Sequence, residues 1–117
     1  MDITRLHPGA RMSQAVVHGD TVYLAGQVAT DLATAPDVAG QTRQILDRID
    51  ELLAEAGSDK SKALMATIWL SDIGTFDEMN GVWDAWVADG ATPARACVEA
   101  RLARPEFLVE IRVVAAR

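Results

Sequence analysis

Thr92-Pro93-Ala94-Arg95-Ala96-Cys97-Val98-Glu99-Ala100-Arg101-Leu102 alternates small or apolar residues with polar ones at a period of two, the pattern of a β-strand. Ala96, Val98, Ala100 and Leu102 share one face, and Arg95, Cys97, Glu99 and Arg101 share the other. Pro93 stands just ahead of the run, where its missing N–H does least harm to a ladder. After the turn-like Ala103-Arg104-Pro105-Glu106 comes a second alternating run. Its Phe107, Val109, Ile111 and Val113 are apolar, while Glu110 and Arg112 point the other way. Read together, the two runs predict a hairpin with one apolar face and one face rich in fixed charge. If its turn centres near Arg104-Pro105, Glu110 lies opposite Glu99 and Arg95 opposite Val114. Arg95 and Glu110 then stand about four residues, roughly 13 Å, apart along the sheet. A small substrate with one water could span much of that gap, or a neighbouring subunit could supply one of the two groups.

Upstream, residues 1–12 carry no assigned element beyond a turn at Pro8-Gly9. Ser13 to His18 and Thr21 to Val28 predict two strands around His18-Gly19-Asp20. Gly26 lies inside the second, where glycine marks a bulge or a close backbone approach. Val38, Ile45, Leu46, Ile49, Leu52, Leu53 and Ala56 recur at helical spacing over residues 37–56, with Pro36 at the entry and Gly57 as the stop. Residues 62–70 alternate again, Leu64, Ala66, Ile68 and Leu70 against Met65, Thr67 and Trp69. Thr75-Phe76-Asp77-Glu78 has the form of a capping box, so a second helix is predicted from Thr75 to the glycine at 90. Its apolar positions include Phe76, Met79, Val82, Trp83 and Trp86, and the two tryptophans read as core. The order ββαβαββ gives an α+β domain over residues 1–117, one sheet with both helices on one face. The face left bare, expected to carry Leu64 or Met65, Trp69, Cys97 and the charged set, argues for self-association.

Composition narrows the function classes. A length of 117 residues suits one domain, and a hydrophobic content of 50% rules out a disordered chain. The net charge of −6 and pI near 4.7 oppose a broad nucleic-acid footprint, though a local anion site remains open to it. No apolar run is long enough to span a bilayer, and Met1 to Leu6 has no basic region or long apolar core of a signal peptide. One cysteine excludes an intrachain disulfide, so a reducing cytoplasmic setting is expected. Two histidines and one cysteine give no metal spacing, and no glycine-rich phosphate loop occurs.

Pro93-Ala94-Arg95-x-Cys97-Val98-Glu99, then Leu102, then Val109-Glu110-Ile111, resembles the C-terminal signature of the RidA (YjgF/YER057c/UK114) family. The likeness runs over nearly the whole chain. Gly26-Gln27 after an apolar strand, the helix from about residue 37, and Phe76-x-x-x-Asn80 fall in the family's order. The resemblance implies a chorismate-mutase-like fold of the bacillus type and a homotrimer with active sites between subunits. It also implies hydrolysis of reactive enamines and imines, such as 2-aminoacrylate, to keto acids and ammonia. No cofactor is needed for that reaction, because the carbon–nitrogen double bond is already electrophilic.

Arg95 is the first candidate for chemistry. Its planar fork of donors can hold a carboxylate through two parallel hydrogen bonds, and its charge is permanent. The competing reading is a surface arginine paired with Glu99 or Glu110. The resemblance gives Arg95 the substrate carboxylate. Glu110 is the candidate for placing water and moving protons, unless it merely pairs with Arg112 or Arg101. Cys97 lacks the histidine or helix N-terminus that lowers a thiol's pKa, so the thiol reads as inert; the resemblance has its backbone help to place the water. It also puts Ala25, Gly26, Gln27 and Met12 in the lining of the site. Two departures stand out: Met12 occupies the position of a family tyrosine, and Ala25 that of a family serine. Asn80 matches the family and reads as structural. A rival function is a module that holds a small carboxylate without turnover. RNA cleavage is a third, opposed by the acidic balance and the lack of a catalytic histidine pair.

Overall fold

The computed structural model describes residues 1–117. A six-stranded sheet runs in the order β1-β2-β3-β6-β4-β5. Its strands are β1 (Ile3–Pro8), β2 (Ser13–His18), β3 (Thr21–Leu24), β4 (Ala63–Leu70), β5 (Ala94–Glu99) and β6 (Val109–Ala116). Helices α1 (Val38–Glu55) and α2 (Phe76–Trp86) pack on one face of it. This is the α+β layout that the alternating runs predict, with one strand added at the start. β1 pairs antiparallel with β2 and is exposed almost throughout, so it lacks the apolar alternation that marks a half-buried strand.

β5 and β6 do not form a hairpin. β5 pairs in parallel with β4, while β6 inserts between β3 and β4, antiparallel to both. Burial explains the placement. Val109, Ile111, Val113 and Ala115 of β6 are wholly buried, as suits a central strand, whereas no residue of β5 is buried, as suits an edge. The connection over residues 100–108 is also longer than a tight hairpin turn.

The register overturns the expected position of the two charged sets. Glu110 pairs with Trp69, so both lie on the face without helices. Arg95 pairs with Ala66 and Cys97 with Ile68, residues buried beneath the helices. Arg95, Cys97 and Glu99 therefore sit on the helix side of the sheet, and Glu110 and Arg112 on the bare side. Cys97 accordingly packs against the core and leaves the bare face. Along the sheet Arg95 shares a row with Val113, not Val114.

The core is the apolar stripe of α1 laid on the alternate residues of β2, β3, β4 and β6. Ile45, Leu46, Ile49, Leu52 and Leu53 are each at most 1% exposed, and each contributes about 1.5–3 kcal/mol by leaving water. Asp37 caps α1 by accepting a 2.8 Å hydrogen bond from the Gly40 N–H. Gly57, at a φ of 80°, follows its end as expected. Asp37→Ala should lower stability by about 1 kcal/mol, read as a shift in the chemical-denaturation midpoint at unchanged slope. The capping box of α2 does not form. Thr75 Oγ1 donates to Asp72 O, and Glu78 instead accepts from the Ala39 N–H at the start of α1. α2 also stops at Trp86, short of the glycine at 90, and that residue (φ 72°) lies in the following turn. β3 ends at Leu24, earlier than its apolar run suggests; Gln27 continues as a single bridge to Ile111.

Candidate active site

The candidate residues gather into two groups, one around Arg95 on the helix side of the sheet and one around the segment after β3, where Glu110 and Gly26 meet on the bare side and Gln27, bridged to buried Ile111, lies on the helix side. The first is built where β5 passes under α2. Arg95 donates from Nη1 to Asn80 Oδ1 at 2.7 Å. Its guanidinium carbon lies 5.3 Å from the Trp83 ring centre and 5.7 Å from that of Phe76. Asn80, Phe76 and Trp83 recur at helical spacing on one side of α2 and together orient the side chain. No carboxylate answers its charge. The carboxylates in close contact with basic side chains are Glu55, hydrogen-bonded to His7, and Glu51, paired with Arg48, and the Glu99 carboxylate accepts from the Ile73 N–H. Arg95 is thus an exposed, aimed cation with most of its donor fork unspent. Pairing with Glu99 or Glu110, the bland alternative, does not occur. Cys97 follows on the same face, half-buried, and burial raises its thiol pKa against the smaller opposing pull of Arg95. The thiol stays protonated at neutral pH, in keeping with an inert side chain.

The second group forms where the segment after β3 crosses β6. Gln27 exchanges backbone hydrogen bonds with Ile111, at 2.8 and 3.1 Å. Its buried side chain donates to Gln14 Oε1 and to the Ala25 carbonyl. These bonds spend the Gln27 amide on holding the Ala25-Gly26 segment in place. Gly26 lies against the Glu110 side chain so closely that a Cβ there would overlap the carboxylate. This is the close backbone approach that a glycine inside a strand pattern signals. Gly26→Ala should force the Glu110 carboxylate out of its place, read as a shift of the Glu110 side-chain resonances in the variant. Half-buried Glu110 has its carboxyl pKa raised by burial. Trp69 faces it across the ladder, and Arg112 stands by that ring at 5.9 Å. Met12, half exposed, lines a cleft with Gly26, Gln27, Gln14 and Arg48.

Arg95 and Cys97 are thus together, and Glu110, Gly26, Ala25, Gln27 and Met12 form a separate group. The chain by itself does not bring the two groups to one substrate. Sequence reasoning passed over Asn80 as structural, although it is the one hydrogen-bond partner of Arg95. The spacing Phe76, Asn80, Trp83 was the available signal. Trp69 was legible only as an outward strand position.

The chain matches, over residues 2–117, the sequence model of a family described as Endoribonuclease L-PSP. It is 45% identical over 114 residues to a RutC family protein of Haemophilus ducreyi, covering 97% of this chain and 96% of the relative. It is 44% identical over 116 residues to the RutC family protein YoaB of Escherichia coli K12, covering 99% of each. Among solved structures it is similar to a YjgF family member from Neisseria meningitidis, with 51% identity and a TM-score of 0.96 over 100% of this chain and 96% of that one.

Proposed function

The chain belongs to the Endoribonuclease L-PSP family, that of the YjgF and RutC proteins, and from that premise we propose that it hydrolyses reactive 2-imino and 2-enamino acids to 2-keto acids and ammonia. The observation that carries the reading is Arg95: exposed, oriented by Asn80 and two aromatic rings, and without a carboxylate of its own. A cation held that way is a receptor for a ligand carboxylate.

The site is completed by a second copy of the chain, in a homotrimer. Two observations support this. Arg95 and Glu110 lie on opposite faces of one sheet. The bare face exposes Tyr23, Met65 and Val98 by 43–48%, and beside it β5 is an unpaired edge with only alanine and valine on that side. Association through this face sets the Arg95 edge of one subunit against Gly26 and Glu110 of the next.

Arg95 grips the carboxylate and so fixes the imine carbon. Glu110 and the Cys97 backbone position a water against that carbon, and Glu110 accepts a proton as the water adds. Glu110 returns that proton to the nitrogen of the resulting carbinolamine, which leaves as ammonia while the hydroxyl gives up its proton and the carbon–oxygen double bond of the keto acid forms. An enamine first takes a proton on carbon to become the imine. The raised pKa of Glu110 suits it to exchange protons nearer to neutral pH than an ordinary carboxylate does.

The replacement of two hydroxyls by Met12 and Ala25 favours one second reading, a module that holds a small carboxylate without turnover. One assay separates them. 2-Aminoacrylate is generated in situ by a dehydratase and unreacted imine is trapped with semicarbazide. The deaminase reading expects the protein to suppress the semicarbazone. No suppression, either there or with imines of bulkier amino acids, leaves only the binding module.

A further inference from the structure

A second cleft, of about 520 Å³, lies in the furrow between α1 and α2, within the size range of small-ligand sites. It is distinct from the Arg95 group. α2 turns Phe76, Asn80 and Trp83 toward Arg95 and lines the furrow from its other side with Gly81, Val82 and Ala85. The floor is apolar, made by buried Leu46, half-buried Val82 and the Trp86 ring. The Trp86 indole N–H is satisfied by both Asp50 oxygens at 3.1 Å, so the ring offers the furrow an apolar surface with no unmet donor.

Charge of both signs stands around this floor. Arg43 and Lys60 line the cleft without a carboxylate partner, and Lys60 Nζ lies 5.5 Å from the Trp86 ring centre. Glu78, also in the lining, is spent on the Ala39 N–H, whereas the exposed Asp47 carboxylate carries no hydrogen bond or ion pair. Two free cations, one free anion and an apolar floor complement a molecule with a carboxylate, an ammonium and an apolar body.

We infer that the α1–α2 furrow binds an α-amino acid with an apolar side chain. Its carboxylate meets Arg43 and Lys60, its ammonium meets Asp47, and its side chain lies on Leu46, Val82 and Trp86. The proposal is independent of the imine chemistry, since it uses none of the residues assigned to it.

The test is a titration of the full chain with L-leucine, followed by the ¹⁵N–¹H resonance of the Trp86 indole. A saturable shift is expected. 4-Methyl-2-oxopentanoate, which lacks the ammonium, and isopentylamine, which lacks the carboxylate, should each bind about tenfold or more weakly, because each leaves a charged group unpaired. Arg43→Ala and Asp47→Asn should each weaken L-leucine by about tenfold or more. Gly81→Leu should abolish the shift, since Gly81 lines the furrow and a Cβ there meets open space. Arg95→Ala should leave the affinity unchanged. The proposal is overturned by no saturable shift up to about 50 mM, by equal affinity for the keto acid, or by loss of the shift in Arg95→Ala, which places the ligand at the other site.

Discussion

Arg95→Ala should cut kcat/KM for 2-imino acid hydrolysis by about a thousandfold, a loss of about 4 kcal/mol in transition-state stabilisation. The side chain is exposed, and its contacts with Asn80, Phe76 and Trp83 are single and peripheral. Thermal unfolding should therefore move little, with about 0.5–1 kcal/mol lost from the aromatic contacts. Arg95→Lys keeps the charge but loses the fork and the planar stacking, so it should recover only a small part of the rate. Steady-state kinetics beside a melting curve checks both halves. A large loss of rate with an intact fold assigns Arg95 to the ligand and not to the scaffold.

The second large effect belongs to Glu110. Glu110→Gln should lower kcat by about a hundredfold or more, since the amide can orient water but cannot take its proton. In the parent protein, the acidic limb of the kcat/KM profile should lie above the ordinary carboxylate value of 4.5, because burial raises this pKa. That limb should vanish in the variant. Stability carries its own sign. A carboxyl with a raised folded pKa binds more protons folded than unfolded between 4.5 and that pKa. Stability therefore falls as pH rises through this interval, and Glu110→Gln should remove that fall. The variant should be at least as stable as the parent above the interval while losing its activity. Denaturant titrations at several pH values read this out.

The helix α1 was legible because its apolar stripe and its glycine stop agree, and both survive in the fold; Pro36, read as part of the first turn, instead stands just outside it, ahead of the Asp37 cap. The faces of β4 and β6 were legible from their period of two. Strand order was not. Two amphipathic runs separated by a turn-like segment look the same whether they pair with each other or admit a third strand between them. Only the complete burial of Val109, Ile111 and Val113 marks β6 as central, and burial depends on the rest of the sheet. That one error moved Arg95 and Glu110 onto a shared face. Thr75 misled in a similar way. Its capping pattern is local, yet Glu78 finds a better partner in the Ala39 N–H, distant in sequence. Gly26 was read correctly as a close approach, but its partner, Glu110, came only with the fold.

One subunit's Arg95 works with another's Glu110 in the proposed trimer, and mixed assembly separates that arrangement from a site within one chain. Arg95→Ala and Glu110→Gln chains, each inactive alone, are unfolded together in equal amounts and refolded. In randomly assembled closed trimers, about one interface in four joins an intact Arg95 to an intact Glu110. Recovery of about a quarter of the parent activity is expected. Activity no higher than that of the separate variants would place both groups in one subunit and contradict the shared arrangement.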